Sequence, residues 1–221
     1  MSNSILIEAF QLYNKQMFEV INLSCVRGMR RLFQNLDFTA TAGEMIEVRG
    51  PNGSGKTSLL RILCGLSSPA AGEVRWNGNN IRSLGEEYFS AVAYLAHQNA
   101  VKDELSAIEN LRISSGISGN NLSHKEALAI LDRVGLSKER DLPARSLSAG
   151  QRRRLALTRL LTSKATLWIL DEVLTSLDDA AVEMSRQFIN AHLHGSGIAI
   201  IASHQDIHLS VERAQRIELS T

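Results

Sequence analysis

The sequence predicts an α/β fold: a mostly parallel core sheet, preceded by a sheet-rich front end and interrupted by a helical insert. Three observations point there. Apolar, strand-sized runs alternate with helical segments in the second half of the chain. Near residue 50 a strand gives way to a glycine-rich loop and then a helix, and two helix-start signatures follow one another in the middle of the chain.

Taken in order, residues 1–19 mix polar, acidic and aromatic positions and lack a basic start followed by an apolar run. They read as an N-terminal extension without a role that the sequence reveals, ahead of one domain over 20–221. Strands are expected at 20–26, 32–40 and 45–49, separated by turn residues Arg27, Gly28 and Ala42, Gly43. After the glycine-rich loop, a helix over 55–64 and a strand over 73–76 are expected, the latter closed by the turn pair Asn77, Gly78. Capping-box patterns at Ser106 with Glu109 and at Ser123 with Glu126 mark two helices, the second ending before Gly135. A long helix from Ala149 follows, then an apolar strand over 166–170, a helix over 178–193 and a strand over 198–202. The helical insert accordingly covers about 99–162.

Composition narrows the function classes. The 221 residues suit one domain with a substantial core, and 24 Lys and Arg against 23 Asp and Glu leave no bulk positive field of the kind a nucleic-acid binder shows. Cys25 and Cys64 have no zinc spacing and read as reduced thiols. No apolar run approaches the ~18 residues of a membrane span. A role at a membrane therefore means docking there.

The strongest chemical signal is Gly50, Pro51, Asn52, Gly53, Ser54, Gly55, Lys56, Thr57, Ser58, a Walker A string set where a strand meets a helix. Glycines let backbone N–H groups curl around phosphate oxygens, and the helix that follows offers its positive end. Lys56 adds a full charge near the β and γ phosphates of ATP, and Thr57 offers a hydroxyl to Mg²⁺. In the run from Thr166 to Glu172 an apolar strand ends in two acids, as a Walker B element does. Asp171 is expected in the Mg²⁺ shell and Glu172 as the group that polarises the attacking water. Leu147, Ser148, Ala149, Gly150, Gln151 contains a third capping box, between Ser148 and Gln151, marking another helix N-terminus that can face an anion.

That pentapeptide resembles the ABC signature. With Walker A, Gln98 in the glutamine-loop position, Walker B, then Ser176, Leu177, Asp178, and finally Ser203, His204, the chain resembles the ATP-binding domains of ABC transporters over most of its length. The resemblance implies a P-loop NTPase fold of the ABC ATPase type with an N-terminal antiparallel β subdomain. It implies that Gln98 touches Mg²⁺ or water, that His204 contacts the γ-phosphate, and that Asp178 belongs to the nucleotide site. It also implies a head-to-tail homodimer in which Ser148, Gly150 and Gln151 of one copy cover the phosphate held by Walker A of the other.

This sequence departs from the family pattern in two places. The adenine-stacking aromatic about thirty positions before the Walker lysine is missing, and Arg27 in that neighbourhood is expected to stack its guanidinium instead. Val173 and Ser176 stand where proline and alanine are commoner. The run Arg152, Arg153, Arg154 is expected to have a solvated and inter-subunit role and not to form a nucleic-acid patch, since three consecutive helical positions point in different directions and the whole chain is near neutral.

A finer resemblance links Tyr94, Leu95, Ala96, His97, Gln98, then Leu105 and Glu109, Asn110, Leu111, to the haem exporter ATP-binding subunits of cytochrome c biogenesis, the CcmA family. It implies two copies of this chain with two CcmB-like integral membrane subunits on the cytoplasmic face of a bacterial inner membrane, and no nucleic-acid partner. The residues leave two alternatives open: the ATPase of another small bacterial ABC exporter, and a soluble ABC-type regulatory ATPase without a transporter.

Overall fold

A computed structural model of the chain describes residues 16–204, 207, 209 and 213–219. Residues 1–15 of the expected extension lie outside the described residues. The first strand, β1 (Met17–Arg27), begins within the last residues of that stretch, because Met17, Phe18 and Glu19 pair with Thr41, Ala40 and Thr39 of β2 (Arg30–Thr41). The front sheet is antiparallel in the order β2-β1-β4-β5, with β4 at Ala71–Trp76 and β5 at Asn79–Asn80.

The second sheet is parallel throughout, in the order β6-β7-β8-β3-β9. Its strands are β3 (Met45–Arg49), β6 (Val92–Leu95), β7 (Leu167–Asp171), β8 (Ile198–Ala202) and β9 (Ala214–Glu218). Every residue of β7 and β8 is buried, which is why both read as unbroken apolar runs and show no alternation in sequence. Their side chains nevertheless alternate between two cores. Leu167, Ile169, Ile198 and Ile200 join Phe18, Val20, Leu59 and Leu63 in the layer between the two sheets, and Trp168, Leu170, Ala199 and Ile201 pack with Leu157, Leu160 and Ile189 on the far face.

The helices are α1 (Lys56–Leu63), the short α2 (Ile81–Leu84) and α3 (Glu86–Ala91), then α4 (Ala107–Ile117), α5 (His124–Arg133), α6 (Ala149–Thr162) and α7 (Asp179–His194). Helix α1 lies in the inter-sheet core, whereas α4 and α5 close a third core of their own around Ile108, Leu111, Leu131, Leu136 and Leu147. All three expected capping boxes form: Ser106 with Glu109, Ser123 with Glu126 and Ser148 with Gln151, each worth ~1 kcal/mol to its helix. Two segments had no sequence forecast. Strand β9 is mostly polar and exposed, with only Ile217 buried, and α2 with α3 are too short to show a period. None of the described helices is long and apolar enough to cross a membrane.

Candidate nucleotide site

Parallel strands end at a common edge, so the loops after β3, β6, β7 and β8 converge at the carboxyl end of one sheet. A cleft of about 860 Å³ lies there, lined by Gly50 to Gly53, Gly55 to Ser58, His97, Asp171, Glu172, Thr175 and His204, with Arg27, Arg30 and Leu32 on its outer side.

The loop from Gly50 to Gly55 has a shape that side chains would spoil. Gly50 sits at φ 150°, and a Cβ there would lie 2.5 Å from the Leu219 carbonyl oxygen and 2.5 Å from Ser54 Oγ. Gly55, at φ 104°, is the N-cap of α1 and offers no side-chain cap. The N-termini of α4, α5, α6 and α7 are each closed by a Ser or Asp side chain, so α1 differs from them in presenting its first-turn N–H groups to the cleft. An anion is the natural partner for those donors.

Lys56 is buried, with Nζ donating to the carbonyls of Gly50 at 2.7 Å and Pro51 at 3.3 Å. Its charge is thereby held at the mouth of the loop, 4.0 Å from Glu172 Oε1. Thr57 donates its hydroxyl to Asp171 Oδ2 at 2.8 Å, joining the first turn of α1 to the end of β7. Burial pushes the Asp171 carboxyl above the ordinary range; the Thr57 hydrogen bond opposes that and the neighbouring Glu172 charge adds to it. Glu172 sits at φ 52°, a left-handed conformation that costs a non-glycine residue about 1 kcal/mol or more. The turn aims its carboxylate back into the cleft, where Oε2 lies 2.7 Å from His204 Nδ1. Such strain marks functional sites when the surroundings hold it in place.

The remaining expected site residues lie elsewhere. Gln98 is exposed and does not line the cleft, and His97, one position earlier, does. Ser148 is exposed at the start of α6, where its Oγ accepts from the Gln151 N–H at 3.1 Å, and Gln151 Nε2 donates to Glu139 at 3.1 Å. Gly150 packs under the loop after β7, since a Cβ there would lie 3.3 Å from the Ser176 carbonyl. Asp178 is exposed and caps α7 by accepting from the Ala181 N–H at 2.8 Å. None of these five borders the cleft of its own chain. Arg27 does, across the hairpin turn from Arg30, its pairing partner between β1 and β2.

One expectation is corrected. Of the three consecutive arginines, Arg153 is not solvated: it is 3% exposed and its guanidinium donates into the protein. It lies on the inner face of α6, whereas Arg154 reaches the carbonyls that end the α5 segment, Val134 at 3.3 Å and Gly135 at 3.4 Å. Arg30, His97, Thr175 and Arg153 were missed as site residues. A helical wheel drawn from the apolar Ala156, Leu157 and Leu160 would have put Arg153 on the inward side, while the others depend on how loops turn after strand ends.

The family model described as ABC transporter matches residues 33–175. The chain belongs to the ABC transporter family. Among curated relatives, this ABC cassette is 50% identical over 91% of its length to 98% of the cytochrome c biogenesis ATP-binding export protein CcmA of Nitrosospira multiformis. It is 49% identical over 93% of its length to 96% of the protein of the same name from Nitrosomonas europaea. Among solved structures, the cassette superposes with TM-score 0.79 on an ABC transporter ATP-binding protein from Pyrococcus furiosus at 23% identity, covering 90% of this chain and 96% of that one. A dimeric ATP-binding cassette in a post-hydrolysis state with ADP and Pi gives TM-score 0.78 at 22% identity over 92% of this chain and 97% of that one. Those two likenesses establish the α/β fold with its parallel and antiparallel sheets.

Proposed function

We propose that this chain is the ATP-binding and ATP-hydrolysing subunit of a CcmA-type exporter, and that it drives haem export or delivery in the assembly of c-type cytochromes. One observation carries the enzymatic part: a single cleft gathers an uncapped helix N-terminus, the buried Lys56, the Thr57–Asp171 pair and the Glu172–His204 pair. The cargo reading rests on identity of about one half across nearly the whole length of two CcmA proteins.

The residues divide the work as their chemistry dictates. Backbone N–H groups of α1 and the Lys56 ammonium take the β and γ phosphates of ATP. Thr57 and Asp171 present an all-oxygen donor pair, which suits a hard cation, and they would hold Mg²⁺. When bound there, that ion neutralises phosphate charge. Glu172 accepts a proton from the attacking water, and His204 fixes the carboxylate's orientation through the 2.7 Å contact and offers Nε2 to the γ-phosphate. Arg27 and Arg30 flank the place where the base projects, and a guanidinium laid on a purine face supplies the stacking that an aromatic side chain supplies elsewhere.

Because Ser148, Gly150 and Gln151 stand away from their own cleft, the reading assigns them to the cleft of a second copy. There the exposed start of α6 adds a helix end carrying about half a positive charge. Two copies docked peripherally on two CcmB-like membrane subunits, at the cytoplasmic face of the inner membrane, make up the working assembly.

The test is genetic and biochemical together. Deleting the gene from its host should abolish haem-stained c-type cytochromes, the wild-type gene should restore them, and Lys56→Ala should not. Normal c-type cytochromes in the deletion strain would refute the cargo reading, and a purified chain without ATP turnover, alone and with its co-purified membrane subunits, would refute the enzymatic one.

A further inference from the structure

The start of α6 is joined to the catalytic edge by one side chain that no motif names. Arg153 Nη2 donates to the carbonyls of Glu172 at 2.8 Å and Asp171 at 3.1 Å, and Nε donates to that of Val173 at 3.1 Å. Nη1 donates to the carbonyls of Ala96 at 3.0 Å and His97 at 3.4 Å, and to Asn99 Oδ1 at 3.0 Å. A planar fork with five N–H donors can serve several acceptors at once, which the point charge of lysine cannot. Burial acts against the charged form of this guanidinium, and the Asp171 and Glu172 carboxylates offset that penalty.

The three segments so joined are those whose relative placement decides whether the cleft can react. Glu172 is held in a left-handed conformation, and the carbonyl of that same residue receives the shortest of the Arg153 bonds. Ala96, His97 and Asn99 bracket Gln98, the residue expected to sense the cleft from the loop after β6. Arg153 itself lies five positions after Ser148, one turn beyond the helix end that carries the signature serine.

We propose that Arg153 is a positioning residue: its guanidinium fixes the strained backbone turn at Glu172 and the loop around Gln98 relative to the signature helix, and so sets the orientation of the water-activating carboxylate. This rests on the reading of Glu172 as the general base, and its effect belongs to turnover and leaves nucleotide capture alone, because Arg153 touches neither the phosphate loop nor Lys56.

The test uses the full chain with its membrane subunits and compares Arg153→Lys, Arg153→Met, Glu172→Gln and the double variant Arg153→Met with Glu172→Gln. ATP affinity is measured by equilibrium binding and turnover at saturating ATP. Both Arg153 variants should lose about tenfold or more in kcat while Kd for ATP stays within about threefold. The double variant should turn over within about twofold of Glu172→Gln, since a group acting through the carboxylate adds nothing once that carboxylate is gone. Losses that multiply, a Kd that weakens in step with kcat, or unchanged turnover would overturn the proposal. If Arg153→Met fails to fold, Arg153→Lys alone and combined with Glu172→Gln is read by the same criteria. Glu172→Gln alone tests the underlying reading: normal turnover in that variant with defective Arg153 variants would reject the general base and leave a different role for Arg153.

Discussion

His204 Nδ1 lies 2.7 Å from Glu172 Oε2, although the two residues are 32 positions apart and sit at the ends of neighbouring parallel strands. The register of β7 against β8 sets that meeting, since Asp171 pairs with Ala202 and each chain then takes a short step into the cleft. Glu172→Gln should keep ATP binding and lose at least the ~10²-fold in turnover typical of a missing general base. His204→Ala, which leaves the carboxylate in place without its partner, should lose roughly tenfold to a hundredfold in kcat. Single-turnover measurements with saturating ATP check both.

Two serine capping boxes offer a controlled comparison. Ser123→Ala and Ser148→Ala should each cost about 1 kcal/mol of stability, because each removes one side-chain acceptor from a capping box. Under the proposed function only Ser148→Ala should also depress ATP turnover, because that reading sets the Ser148 helix end, and not the Ser123 one, against a second copy's phosphate. Denaturant melts and steady-state assays on both variants separate the two effects, and equal turnover in both would remove Ser148 from the mechanism.

Burial of the Asp171 carboxylate works against the folded chain when that group is charged. Burial raises its folded-state pKa above the unfolded value, so its contribution favours the folded chain at acid pH and is lost as pH rises through the folded pKa. Asp171→Asn keeps an oxygen for the Thr57 hydroxyl and removes the buried charge. Without nucleotide, the variant should melt roughly 2 °C or more above the parent at pH 7.5. That advantage should shrink as pH falls toward the ordinary carboxylate range, while turnover is lost at every pH. Calorimetry across pH 4.5 to about 8 spans the window in which an unperturbed carboxylate finishes ionising.

Mixing two inactive chains tests the shared site. Lys56→Ala removes the phosphate cation from one face and Ser148→Arg blocks the helix end on the other, so neither homodimer holds an intact pair. A mixture should recover activity through at most one composite site per dimer. Full turnover by either variant alone would show that the sites are not shared.

Much of this was legible in the residues, for physical reasons. A buried parallel strand has to be apolar throughout, so the runs ending at Asp171 and Ala202 declared themselves, as did helix starts closed by Ser with Glu or Gln three positions on. Strand β9 did not, because an edge strand with one buried residue carries no pattern that distinguishes it from a loop. That His97 lines the cleft of its own chain while Gln98 does not was hidden for a related reason. Past the last paired residue of β6, Leu95, no ladder fixes which of two adjacent side chains turns inward. Arg153 was hidden by its neighbours, since a basic triplet invites a reading by charge, and only the inward face of α6 separates the middle member from the other two.

The exposed serine at the head of α6 has a kinetic corollary. Under the proposed shared site, a single copy keeps half of its reaction chamber on its outer surface and should be inert in isolation, so at low protein concentration the rate should climb with the square of that concentration. On that reading the cell would need no separate inhibitor for stray, unassembled chains, because solitude itself would be the off state.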